Sequence, residues 1–329
     1  MPLAGTMKLA HVLALLVGAL WVPSANAAPE EVSLLFAGDI MLDTLPGESV
    51  ARGVDPFLGF SGILAAADLA VGNLECSVAT SGAPEEKRFT FRAHPRTLPV
   101  LAQHFAAVGL ANNHSGDFGK AALTETMAHL AENKLPFFGA GKDLASAHEP
   151  LLVERGGLHI ALLAYDEFQP RSFEAGADYP GVAWSEDEQV VTDIRRARQL
   201  GADLVFPFLH WGWEGEREPC ARQRELAHRL IDAGADAVIG GHPHVTQGAE
   251  TYHGKLILYS LGNFVFDGFH EDATRTGWLL RLSLTKKGVT RWDTVVAKLD
   301  DQGSPQPALD ARSPCGSGQE IFSCLAGRR

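Results

Sequence analysis

Long apolar runs in this chain end, again and again, on a polar residue that can bind something. "VSLLFAGDI", residues 32–40, is almost continuously apolar up to its Gly-Asp ending, the pattern of a strand buried on both faces. "GILAAADLAVGNLE" predicts a short helix and then a strand closing at Glu75. "PRTLPVLAQHFAAVGLANNH" predicts the same succession and reaches Asn113 and His114. "GKAALTETMAHLAENKL" has helical spacing, with Asp117 placed just ahead of it as a candidate cap. "LHIALLAY", "ADLVFPFLHWG", "ADAVIGGHPHV" and "KLILYSLGNFVF" are four further strands, and "CARQRELAHRLIDAGA" is a helix between the second and third. "TGWLLRLSLTKKGVTRWDTVVAKLD" predicts a hairpin turning at Lys287-Gly288. Strands alternating with helices imply an α/β fold with much parallel pairing.

The polar endings carry the chemistry. Asp39, Glu75, Asn113, His114, His210, His242 and His244 all fall at or just beyond the carboxyl end of a predicted strand. In an open α/β sheet those ends share one edge, where ligands bind. Carboxylates, an amide and imidazoles gathered there suit one or two divalent ions such as Mn, Zn or Fe. Any one of these residues alone reads as a cap or a hydrogen-bonding group; their agreement points to a metal site that the "GGHPHV" turn closes. Rival arrangements lack their signatures: there is no GxSxG elbow, no Walker loop and no HExxH helix. A glycosidase-type carboxylate pair is compatible with the sequence but leaves the histidines unexplained.

Charge and the chain ends narrow the setting. A formal net charge of -12 argues against a nucleic-acid partner, and an anionic substrate would need local positive charge, which metal ions supply. The first 27 residues carry Lys8, an apolar stretch from Val12 to Val22 and an Ala-Asn-Ala ending, the pattern of a secretory signal cleaved after Ala27. That stretch is short of the roughly 20 residues that span a bilayer. Three segments are therefore expected: the signal at 1–27, one domain over 28–300, and a Pro/Gly/Ser-rich tail over 301–329. The mature protein would be exported, periplasmic or secreted. Export permits disulfides, and Cys315 and Cys324 bracket a short flexible loop that predicts a local bridge. Cys76 and Cys220 are left open as a second pair.

"FAGDIML", "GNLE", "FTFRAHP", "GLANNHSGDFG", "GAG", "HWGWE", "GGHPHV" and "YSLGNFVFD" resemble, in order, the motifs of CapA-type proteins of poly-gamma-glutamate capsule biosynthesis. That family is similar to the calcineurin-like metallophosphoesterases, which implies a four-layer αββα sandwich of two mixed sheets flanked by helices. By the resemblance, Asp39, Glu75, Asn113, His210, His242 and His244 are metal ligands, Glu75 bridges two ions, and His114 is the catalytic imidazole. Arg92, Asn112, Asp117, Trp211 and Asn263 are candidates for substrate contact or for supporting the ligands, with a surface ion, cap or core role as the ordinary alternative for Arg92, Asp117 and Trp211. Two positions depart from the metallophosphoesterase pattern: Met41 stands where a histidine is usual, and Glu75 where an aspartate is usual, which puts full occupancy of one metal position in doubt. The implied activity is phosphoester hydrolysis through a metal-bound hydroxide. Its alternatives are a non-catalytic, metal-dependent polymer-binding accessory protein or a gamma-glutamyl amide hydrolase. The implied partners are an anionic small-molecule or polymer substrate and membrane proteins of capsule synthesis.

Overall fold

The computed structural model describes Met1, Pro2 and residues 31–168 and 171–326. All but the first two residues of the expected signal lie outside the described residues. Among those described, no helix is long and apolar enough to cross a membrane. Two mixed sheets carry the fold, with ten and six strands among the described residues. In the first, Val32–Ile40 lies between Leu69–Leu74, parallel to it, and Thr276–Thr285, antiparallel. Ala107–Gly109 continues the parallel side. In the second, Leu158–Asp166, Leu204–His210, Ala237–Gly241 and Lys255–Leu261 run parallel, with an antiparallel strand at each edge.

Alternation along these strands builds two separate cores. Leu204, Phe206 and Phe208 face the first sheet, whereas Val205 and Leu209 face away from it. Across the gap, the Phe36 ring lies 6.1 Å from Phe206 and 5.7 Å from Phe208. Each buried ring of this size stabilises the stack by roughly 1.5 to 3 kcal/mol. The outer face of the second sheet is covered by helices Asp187–Gln199 and Ala221–Ala233, through Val190, Ile194, Leu226 and Leu230. Leu101 and Leu123, from helices Leu98–His104 and Gly119–Glu132, belong to the core shared by the two sheets.

Three expectations change. Helix Asp187–Gln199 was not anticipated, although its acidic first turn and its arginines in the last turn suit the helix dipole. Residues from 301 onward are not an appendage: Arg312–Ser317 pairs with Gly288–Leu299, and Glu320–Leu325 extends the sheet by one more strand. Polar and small residues suffice there because a solvent-facing hairpin needs backbone pairing more than a core. Cys315 and Cys324 are disulfide-bonded across this hairpin, with Cα atoms 5.9 Å apart, while Cys76 and Cys220 are both free. Finally, Asp117 caps no helix. The cap position of Gly119–Glu132 is Phe118, and the Asp117 carboxylate is engaged elsewhere.

Candidate metal centre

The parallel strands of both sheets end on one side of the gap, and six of the predicted residues meet there. Asp39 and Glu75 come from or just after Val32–Ile40 and Leu69–Leu74, and Asn113 follows Ala107–Gly109. His210 ends its strand in the opposite sheet, and His242 and His244 follow Ala237–Gly241. Backbone geometry pays for the approach: His242 and His244 adopt positive φ of 92° and 54°, which non-glycine residues rarely tolerate away from functional sites. Gly241 has no side chain for a reason, since a Cβ there would sit 2.7 Å from Asp39 Oδ1.

The donors form two overlapping groups. Glu75, His210 and His242 make one; Asp39, Glu75 and His244 make the other, with ligand atoms in each lying within 4.8 Å of one another. Glu75 belongs to both. Its Oε1 is 3.4 Å from His210 Nε2 and 3.7 Å from His244 Nε2. Asn113 Oδ1 lies 2.7 Å from His210 Nε2, beside the first group. Among the described residues neither oxygen of Glu75 has a hydrogen-bond partner, nor has His242 Nε2, and all three atoms are buried. Leaving such atoms unsatisfied costs free energy that a bound cation would offset.

The electrostatics agree with that reading. Burial, then the neighbouring Asp39 charge, holds the Glu75 carboxyl well above its ordinary range. Burial likewise raises Asp39. His210 and His242 are held well below the ordinary imidazole value, first by burial and then by neighbouring histidines, so both are neutral and present the lone pair that a metal requires. The residues present therefore fit divalent ions bound by oxygen and nitrogen.

His114 stands beside the donors, its Nε2 4.0 Å from Glu75 Oε1. Its Nδ1 meets Asp117 Oδ2 at 2.7 Å, which orients the ring. Asp117 also accepts from the Phe91 backbone N–H and pairs with Lys87, whose ammonium donates to the Asn113 carbonyl at 2.7 Å. Burial lowers the His114 pKa.

Other candidates separate clearly. Asn263 Oδ1 lies 2.9 Å from His244 Nδ1 and orients that ring. Asn112 donates to Asn73 and to the Leu74 carbonyl, and accepts from the His114 backbone N–H, so it shapes the loop. Trp211 is a fully buried core residue, stacked on Tyr259 with its indole N–H on the Tyr259 carbonyl. Arg92 donates to the carbonyls of Ser81 and Gly82 and stacks over Phe118, so its guanidinium is occupied in holding a loop. Met41 turns its sulfur to the Asp43 N–H at 3.1 Å and adds nothing to the donor groups.

Three residues were missed. Asn73 bridges the two sheets, its amide nitrogen 2.9 Å from Asp39 Oδ1 and 3.2 Å from His210 Nδ1. Lys87 lies in a polar stretch with no periodicity to mark it. Asp166 ends Leu158–Asp166 and pairs in register with His210, and burial raises its carboxyl to about 7. The signal for Asn73 and Asp166 was the one used for the others, a polar residue closing an apolar strand.

Comparison with known proteins places the whole arrangement. The family described as bacterial capsule synthesis protein PGA_cap matches residues 33–268. The PGA biosynthesis protein CapA of Bacillus subtilis (strain 168) is 31% identical, covering 90% of this chain and 80% of its own. The capsule biosynthesis protein CapA of Bacillus anthracis is also 31% identical, covering 91% and 77%. Among solved structures, a hypothetical protein from Thermus thermophilus superposes with a TM-score of 0.52 at 17% identity, over 81% of this chain and 99% of that one. A 5'-nucleotidase precursor from the same organism also gives 0.52, at 14% identity, over 84% of this chain and 56% of that one. These two likenesses establish a metallophosphoesterase-like fold.

Proposed function

The chain belongs to the bacterial capsule synthesis family PGA_cap, and from that premise we propose that it is an exported, metal-dependent hydrolase acting on a phosphoester during capsule or exopolymer synthesis. The observation that carries the reading is Glu75: a buried carboxylate without hydrogen-bond partners among the described residues, shared by two groups of imidazole and carboxylate donors. Asp39, Glu75 and His244 would hold one divalent ion, and Glu75, His210 and His242, with Asn113 beside them, a second. When bound, such ions activate water and neutralise charge on a phosphoryl group. Their identity among Mn, Zn and Fe is left to metal analysis.

The chain's own residues supply orientation and a proton. Asp117, itself held by Lys87 and the Phe91 N–H, fixes the Nδ1 side of His114 and leaves Nε2 facing the donors. An anionic phosphoryl group beside Nε2 counters the lowering of this pKa by burial. Nε2 then carries the proton to the departing oxygen. Asn263 and Asn73 keep His244, His210 and Asp39 in place.

The names of the relatives favour a second reading, in which the same ions hold carboxylates of a polyglutamate-type polymer, either without chemistry or with cleavage of a gamma-glutamyl amide. One experiment separates them. The protein from Ala28 onward, loaded with Mn, Zn or Fe, is assayed on phosphomonoester and phosphodiester model substrates and on poly-gamma-glutamate. Metal-dependent phosphate-ester turnover supports the first reading. Polymer binding or cleavage without any phosphoester turnover replaces it by the second.

A further inference from the structure

Asp166 is a buried carboxylate beside the metal centre that neither the ligand groups nor their supports use. Along Leu158–Asp166, Ile160, Leu162 and Ala164 enter the core between the sheets, while Ala161, Leu163 and Tyr165 face the other way. Asp166 has the parity of the first set and pairs in register with His210, so its side chain stands on the same face as that imidazole. It is only 3% exposed.

Its partners are few. Oδ1 accepts the Phe168 N–H at 3.0 Å, a bond that turns the chain and lays the Phe168 ring on His242 at 4.8 Å. Among the described residues no cationic side chain forms an ion pair with it, and it belongs to neither donor group. It orients none of the imidazoles either: the Nδ1 atoms of His114, His210, His242 and His244 meet Asp117, Asn73, His210 and Asn263. The nearby ammonium of Lys87 is already engaged by Asp117 and the Asn113 carbonyl. A second carboxylate, Glu214, is close enough to act electrostatically on Glu75, from a loop that Gly215 ties to the Pro243 carbonyl. Asp166 thus offers, one strand from His210, a buried carboxylate that no cationic side chain pairs with among the described residues, next to donors whose ions would bind an anion.

We propose that Asp166 is a specificity-determining residue that receives a primary ammonium group of the substrate, so that the favoured ligand is an amine-bearing phosphoester. The proposal rests on the phosphoester reading above. A buried carboxylate binds a desolvated ammonium through a charge-assisted hydrogen bond, which a hydroxyl matches poorly and a methyl not at all.

The test uses the Mn-loaded protein from Ala28 onward and three phosphonates that cannot be hydrolysed and differ at one group: (2-aminoethyl)phosphonate, (2-hydroxyethyl)phosphonate and propylphosphonate. Titration calorimetry should show the amine binding tighter than the other two by on the order of tenfold. Asp166→Asn keeps an oxygen to accept the Phe168 N–H and removes the charge. It should erase that preference while leaving metal content and propylphosphonate affinity unchanged. Equal binding of the three phosphonates by the wild type, or a preference that survives in Asp166→Asn, overturns the proposal and leaves the phosphoester reading standing. If none of the three binds, the phosphoester reading fails and this proposal falls with it.

Discussion

In the proposed reading a single imidazole separates chemistry from coordination. His114 Nδ1 is tied to Asp117, and its Nε2 is 4.0 Å from Glu75, the residue shared by both donor groups. His114→Ala should therefore lower phosphoester turnover by about 100-fold or more while bound metal, measured by elemental analysis, stays near the wild-type level. Loss of metal together with activity would make it a ligand instead. His242→Ala provides the contrast. It removes a buried, unpartnered Nε2 and should lower bound metal and activity in parallel. The convergence of these donors was legible in the sequence because each one closes an apolar run, and a carboxylate or imidazole at a strand end has no packing reason to be there. Asn73 and Asp166 obey the same rule and were overlooked, since an Asn just before Leu74-Glu75 and an Asp at the head of "DEFQP" also suit a turn. Arg92 and Trp211 take the ordinary structural roles that were their alternatives. Their motifs lie close to the centre in sequence, but a carbonyl cage and a stacking partner claim their side chains.

At the scale of elements, the parallel strands were readable from composition, and the pieces whose stability comes from pairing were not. Gly288–Leu299 was expected as one arm of a hairpin, yet nothing in its pattern announces that Arg312–Ser317 will add to its free edge. Edge pairing depends on backbone groups, which every residue carries alike. The Cys315–Cys324 bridge fastens this added hairpin. Closing so short a loop is worth at most about 3 kcal/mol in chain-entropy terms. Replacing both cysteines by serine should lower the melting temperature by several degrees, and limited proteolysis should then cut first within residues 312–325. Metal content should not change, because two strands, Gly288–Leu299 and Thr276–Thr285, separate the hairpin from Val32–Ile40, the strand that carries Asp39. Metal loss in the double variant would mean that the hairpin shapes the centre as well.

For the whole molecule, the centre joins the two sheets. Asp39, Glu75 and Asn113 approach from the first, and His210, His242 and His244 from the second, so bound ions would fasten one sheet to the other. Metal removal should then destabilise the entire fold and not a single loop, and the effect should depend on pH in a fixed direction. In the metal-free protein the Glu75 carboxyl lies well above its ordinary value of 4.5, so its burial costs stability as pH rises through that value. His210 and His242 lie well below their ordinary 6.5, so the metal-free protein also loses stability as pH falls through 6.5. A divalent cation reverses the first penalty, since it stabilises ionised Glu75, and it needs the imidazoles neutral. Binding therefore releases protons, and stabilisation by metal grows as pH rises from about 5 to about 8. At metal concentrations near 100 times the dissociation constant, linkage supplies about 2.7 kcal/mol, or a melting-temperature rise on the order of 5 °C for a chain of this size. Differential scanning calorimetry with Mn and with chelator, at pH 5.5 and pH 8, checks both the size and the sign. A metal-induced rise that is larger at pH 5.5 than at pH 8 would mean that neither the buried carboxylate nor the neutral imidazoles hold the ion, and the ligands would have to be sought elsewhere on the chain.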